Sequence, residues 1–184
     1  MNKDTAKALI DVMMGRSKAD LAIRNARIVN VFTRAIETGS IAVKNGYIAG
    51  SADGIEASEE IDAGGRYLVP GLIDAHCHIG IENDGIGIEP EPYILSQGVT
   101  YALDLGTAGS ETFEYYRKNV RYTTDLRYRS YINMGKYGMH DSRKDIESAE
   151  DIDAEAIKSF CQQYPDEIIG LKIRIDEKFC FDSQ

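Results

Sequence analysis

The sequence predicts an α/β protein, the N-terminal half of a (β/α)8 TIM-type barrel preceded by part of a small β-sandwich domain. Three observations carry this. From residue 70 onward, four strand-like segments alternate with three helix-like ones. Residues 20–69 are instead rich in β-formers broken by glycine turns. The strand at 72–78 ends in a His-x-His pair, chemistry of the kind that parallel barrels place at the C-terminal mouth of a strand. The expected organisation is an N-terminal helix over 1–19, a partial β-sandwich over 20–69, and the first four β/α units over 70–184.

Each element has a local reason. In DTAKALIDVMM (4–14), Ala6, Leu9, Ile10, Met13 and Met14 fall at helical spacing, and Gly15 is a natural stop. DLAIRNARIVNVF is β-rich, with Asn25 as a turn point. ETGSIAVKNGYIAG holds two apolar runs joined by Asn45-Gly46, the strongest short hairpin signal. EEIDAGGRYLVPG adds one or two strands around Gly64-Gly65, so this region is expected to be antiparallel. LIDAHCH (72–78) is the first strand of the alternating part. EPEPYILSQG (89–98) suits a short helix with prolines in its first turn and glycine after it. VTYALDLG (99–106) is the second strand, and SETFEYYRKNV (110–120) a helix with Ser110 as N-cap. LRYRSYINM (126–134) is the third strand, DIDAEAIKSFCQQY (151–164) a helix capped by Asp153 or Asp151, and EIIGLKIRI (167–175) the fourth strand. This βαβαβαβ rhythm implies a parallel sheet with crossover helices. Four strands are half of a barrel that typically needs about 250 residues. The sequence is therefore expected to be truncated after the fourth strand, which would leave two raw sheet edges prone to self-association or a homo-oligomer.

Composition narrows the partners. The chain has 184 residues, of which 43% are hydrophobic and 28% charged, an ordinary globular balance. Its 21 basic and 30 acidic residues give a net charge of -9, which argues against nucleic acid or an anionic membrane as partner. A small-molecule substrate is the expected partner. No run of about 18 apolar residues exists, so no membrane span is expected. Cys77, Cys161 and Cys180 are odd in number and lack a CxxC spacing, which points to a reducing cytoplasm. No GxxxxGK[ST] phosphate loop is present.

The chemistry concentrates in VPGLIDAHCHIG (69–80). Side chains alternate along a strand, so Leu72, Asp74, His76 and His78 share one face, and Ile73, Ala75, Cys77 and Ile79 the other. Two imidazoles about 7 Å apart along one strand can converge on a single cation. Cys77, on the opposite face, reads as core. In IIGLKIRID (168–176), Lys172, Arg174 and Asp176 share a face. A lysine in an apolar strand must be paired, reach solvent, or lose its charge. Carbamylation by CO2 is one such solution, turning the amine into a carboxylate. Asp104 and Thr107, at the end of the second strand, are candidate pocket residues. The N–H groups of Gly106 and Gly109 are candidate substrate contacts. Tyr115, Tyr116, Tyr122, Tyr128 and Tyr131 read as packing or interface.

These motifs resemble the amidohydrolase superfamily. LIDVMMGRSKADLAIRNARIVNVFT, NGYIAG and EEIDAGGRYLVPGLIDAHCHI are similar to bacterial adenine deaminases. GVTYALDLGTAGSETFEYYRKNV, YINMGKYGM and DEIIGLKIRID resemble the deacetylase and dihydroorotase-like branch. The resemblance covers residues 8–176. It implies one or two divalent cations, usually zinc, bound by His76 and His78 on strand one, with Lys172 on strand four carboxylated and bridging. It also implies two histidines on strands five and six and an aspartate on strand eight, which this sequence does not contain. His140, the only other histidine, lies in the loop GKYGMHDSRKD and is a candidate pocket residue. Adenine deaminases continue from His-x-His into a Glu-Ser-Ser turn. Here the sequence is HIGIENDG, with Glu82 a candidate ligand.

The implied function is metal-dependent hydrolysis of a C–N bond other than a peptide bond, through a metal-bound hydroxide. An N-acyl or cyclic amide is the favoured substrate, with adenine deamination the alternative. A third reading is a non-catalytic fragment or pseudoenzyme, inactive as this chain alone.

Overall fold

A computed structural model describes residues 1–80, 86–121, 123–139 and 145–175. The chain divides into two compact units, Met1–Pro70 and Gly71–Gln184.

The first unit opens with α1 (Lys3–Met13), where Asn2 caps the helix by accepting from the Thr5 N–H at 2.8 Å. Val12 is its buried residue, with Ala8 and Leu9 half-buried beside it, while Ile10 and Met14 are exposed. The packed stripe is thus one step round from the one that the apolar spacing suggests, because it centres on Val12 at 3.6-residue spacing from Ala8 and Leu9. The strands β1 (Ala19–Asn30), β2 (Ala35–Lys44), β3 (Tyr47–Gly50), β4 (Ala57–Asp62) and β5 (Tyr67–Leu68) form one sheet. The β2–β3 hairpin turns on Asn45 and Gly46, both at positive φ (52° and 76°), as a two-residue loop of this kind requires.

Two expectations are corrected here. Asn25 does not turn the chain: β1 runs through it as a bulge, with Asn25 at φ 54° and the pairing to β2 shifted between Ile23 and Ala26. Its amide holds Asp62 at 3.0 Å, and its carbonyl accepts from Gly65 at 2.8 Å. Nor is the sheet wholly antiparallel, because β4 and β5 both lie parallel to β1. The segment between β3 and β4 carries the chain to the other edge of β1, where it runs in β1's own direction. Small residues make the core: Ala19, Ala22, Ala42 and Ala52 pack around Val12.

The second unit has the expected parallel sheet, in the order β6-β7-β8-β9. Its strands are β6 (Leu72–Cys77), β7 (Val99–Leu105), β8 (Arg127–Asn133) and β9 (Ile168–Lys172), joined through α2 (Pro90–Tyr93), α3 (Phe113–Arg121) and α4 (Ala154–Gln163). α4 is capped by Asp153, which accepts from Ala156 at 2.9 Å, while Asp151 closes a capping box with Ser148 one turn earlier. Ser110 does not cap α3. The segment before the helix is held instead by a bond from Glu111 N–H to the Lys136 carbonyl at 2.7 Å and by the Thr112 hydroxyl accepting from Gly109 at 3.1 Å, so α3 starts at Phe113. β9 stops at Lys172 rather than at residue 175, because its partner β8 ends opposite it, at Asn133.

One face of this sheet is covered. Cys77, Ile79, Ala102, Tyr128, Ile132 and Ile168 meet Phe113, Val120 and Ile157 from the helices. Phe113 lies against Phe160, Tyr164 and Tyr116 with ring centroids 5.4, 6.0 and 6.4 Å away. The Arg117 guanidinium sits 4.3 Å over the Tyr164 ring and grips Glu167 through two bonds of 2.7 and 2.9 Å. Of the tyrosines, Tyr116 and Tyr128 are core residues, Tyr115 is exposed, Tyr131 is half-buried, and Tyr122 lies outside the described residues.

Removing the aromatic centre tests this packing. Phe113→Ala should lower the unfolding free energy by about 3–5 kcal/mol in a urea titration followed by circular dichroism, whereas a loss below about 1 kcal/mol would contradict a core centred on that ring.

Candidate metal centre

The site is built where β6 ends. Cys77 and Ile79 are buried in the covered core, so the intervening His78 and the preceding His76 belong to the opposite side of the strand. Their rings lie with centroids 5.7 Å apart and planes at 78°, an edge-on pair on a common side. The pairing of β6 with β7 shifts between Asp74 and Cys77, three residues against two, so a bulge sits directly beneath the pair. Asp74 turns back to accept from the His76 N–H at 3.0 Å. Beyond the strand, Ile88 donates to the His78 carbonyl at 2.9 Å and accepts from Gly80 at 3.1 Å. Gly80 and Gly87 pass so closely that a Cβ on Gly87 would lie 2.5 Å from the Gly80 Cα.

β7 supplies the support. Asp104 is fully buried, on the covered side of the sheet with Ala102. Its Oδ1 accepts from the N–H groups of Gly106 (3.1 Å) and Thr107 (2.9 Å). Its Oδ2 accepts from the Ile79 N–H (2.8 Å) and the Thr107 hydroxyl (2.6 Å). Burial pushes the Asp104 carboxyl above the usual carboxylate range, and the bonds from Thr107 and Ile79 draw it part of the way back. The Thr107 oxygen also lies 3.1 Å from His78 Nδ1. Asp104 therefore serves the site from beneath, and Thr107 touches it directly.

β9 brings Lys172 alongside. A Cβ on Gly106, at φ 79°, would fall 2.5 Å from Lys172 Cβ, so the lysine stem crosses directly over this glycine. Burial first, then the positive charges of Lys172, His76 and Arg174, pushes the His78 imidazole down to about 4. His76, His78 and Lys172 thus gather at one end of the sheet. His140, Glu82 and Asp176 lie outside the described residues. Among the described residues, no group of three or more His, Cys, Asp or Glu side chains gathers round a cation position.

Two expectations fail on hydrogen bonding. The Gly106 N–H is spent on Asp104, and the Gly109 N–H on the Thr112 hydroxyl, so neither faces a substrate. Cys77 is core as expected: its thiol donates to the Leu103 carbonyl at 3.4 Å, and burial, with Asp104 and Asp74 adding to it, pushes it up to about 12.

Two supports escaped the sequence reading. Asn133, fully buried at the end of β8, donates to the Gly106 carbonyl (3.1 Å) and accepts from Gly135 (2.9 Å), tying the loops after β7 and β8 together. Arg174 forms a two-bond pair with the buried Asp145, at 3.0 and 2.5 Å. The polar Asn133 closing the apolar run of LRYRSYINM is a signal for the first. The second joins residues 29 positions apart and leaves no local trace.

His78 supplies a pH test. With the site metal-free, its ring should titrate near pH 4 in an NMR titration of the histidine resonances. An unfolded chain binds that proton at about pH 6.5, so stability should fall as pH drops from there towards 4. A midpoint near the unfolded value would contradict the burial described above.

No family model matches the chain. It is 57% identical over 70 residues to an adenine deaminase of Listeria welshimeri, covering 38% of this chain and 12% of that protein. It is 37% identical over 139 residues to an adenine deaminase of Ligilactobacillus salivarius, covering 70% of this chain and 23% of that one. The chain thus spans less than a quarter of the length of either relative. Among solved structures, an adenine deaminase matches with TM-score 0.70 and 26% identity, over 85% of this chain and 42% of the other. A dihydroorotase shares the fold, with TM-score 0.76 and 23% identity, over 87% and 44%. These likenesses in sequence and in fold point to the amidohydrolase superfamily.

Proposed function

We propose that these residues form the first half of a (β/α)8 barrel, preceded by part of a β-sandwich, in a metal-dependent hydrolase of C–N bonds. The observation that carries the activity is the edge-on pair of imidazoles at the end of a parallel strand, with Lys172 beside them. Burial keeps His78 neutral, as a ligand must be, and one of its two ring nitrogens remains for a cation while Thr107 engages the other. The donor set of two imidazoles suits zinc. A bound divalent cation supplies Lewis acidity and lowers the pKa of a water to near neutrality.

Lys172 completes the set if its amine adds to CO2. The nitrogen bonds to the carbon, one proton leaves, and the resulting carbamate carries a carboxylate with two oxygens for two cations. This reading favours an N-acyl or cyclic amide as the small-molecule substrate. A second reading, deamination of adenine, is supported by the adenine deaminases to which the chain is similar, one of them over 139 residues. His140 and Glu82 stay as further candidates for the same site.

Metal titration and turnover of the full-length protein test this. Zinc should bind with two ions per chain, and Lys172→Ala should reduce this to one. His76→Ala or His78→Ala should weaken binding by more than the roughly 10- to 100-fold that loss of an outer-shell partner costs. Turnover of N-acetylated amino acids or dihydroorotate supports the first substrate class, and turnover of adenine the second. Zinc affinity unchanged in both histidine variants would overturn the assignment.

A further inference from the structure

The hydrogen bonds around Thr107 fix more than the position of His78. A hydroxyl carries one proton. Thr107 lies between two groups that compete for it, Asp104 Oδ2 at 2.6 Å and His78 Nδ1 at 3.1 Å. The carboxylate is fully buried, and its other three partners, the N–H groups of Ile79, Gly106 and Thr107, can only donate. Facing three N–H donors, Asp104 accepts, and the shorter bond takes the Thr107 proton. The Thr107 oxygen is left to face His78 with a lone pair, which only a protonated Nδ1 can satisfy. The opposite arrangement would withdraw a donor from a buried carboxylate, a costly exchange.

We propose that Asp104 and Thr107 act as positioning residues that lock His78 in the Nδ1–H tautomer, so that Nε2 is the nitrogen presented to a cation. The tautomer stands on the hydrogen bonds alone, while its consequence for cation binding rests on the proposed function. The array runs from carboxylate to hydroxyl to imidazole, with Thr107 inserted where a carboxylate more often meets a ligating histidine directly. It also couples β6 to β7 twice: Asp104 holds the Ile79 backbone, and through Thr107 it holds the His78 ring one residue earlier.

The test is long-range nitrogen–proton NMR on the full chain, metal-free and labelled at histidine nitrogen, with zinc affinity measured separately by chelator competition. His78 should show a protonated Nδ1 and a bare Nε2. Thr107→Val should release the tautomer towards the mixture of a free imidazole and weaken zinc binding about 10- to 100-fold. Thr107→Ser, which keeps the hydroxyl, should restore both. Should the valine variant fail to fold, the wild-type and serine spectra still decide the tautomer. An Nε2–H tautomer in the wild type, or a valine variant with an unchanged His78 spectrum, would overturn the proposal. An Nδ1–H tautomer in a protein that binds no zinc would support the lock and overturn the proposed function instead.

Discussion

The buried carboxylate of Asp104 holds the candidate site together. Four donors from three places converge on it: the backbone beyond β6, the turn after β7, and the Thr107 side chain. A carboxyl group shut away from water is tolerated only when its oxygens are satisfied in this way. Local backbone geometry follows from that requirement. Gly106 adopts a left-handed φ so that its N–H can turn inward, and the absence of a side chain there lets Lys172 pass over it. One buried carboxyl group thus sets the end of β6, the turn after β7 and the approach of β9.

The imidazoles owe their environment to the same arrangement. β6 places Cys77 and Ile79 among the helices and leaves His76 and His78 on the open side. Burial and the positive charges of Lys172, His76 and Arg174 all disfavour a proton on His78. Arg174 is itself anchored to Asp145, so its charge has a fixed place. These features, each of which would be an expense in a purely structural sheet, together keep a neutral nitrogen at the strand end.

Much of this was legible in the sequence because it depends on near neighbours. Alternation along LIDAHCH put both histidines on one side, Asn45-Gly46 marked its hairpin, Asp153 its helix start, and the strand–helix rhythm the parallel sheet. What stayed hidden depends on distant pairs. Ser110 reads as a cap until Glu111 is seen held by Lys136, and Asn25 reads as a turn until its side chain is seen on Asp62. Asp104 reads as a pocket residue because strand ends often carry them; only the contact with Ile79, 25 positions earlier, turns it into the support beneath. The bulge below His76 has no signature either, since nothing in its composition separates it from a regular strand.

The central claim is that two side chains from one strand end meet on one cation. Anomalous diffraction at the zinc edge from crystals of the zinc-loaded full chain addresses it most directly. The account predicts an ion about 2.0–2.1 Å from a ring nitrogen of both His76 and His78. A peak bound elsewhere, with the two rings contacting only protein or solvent, would contradict it.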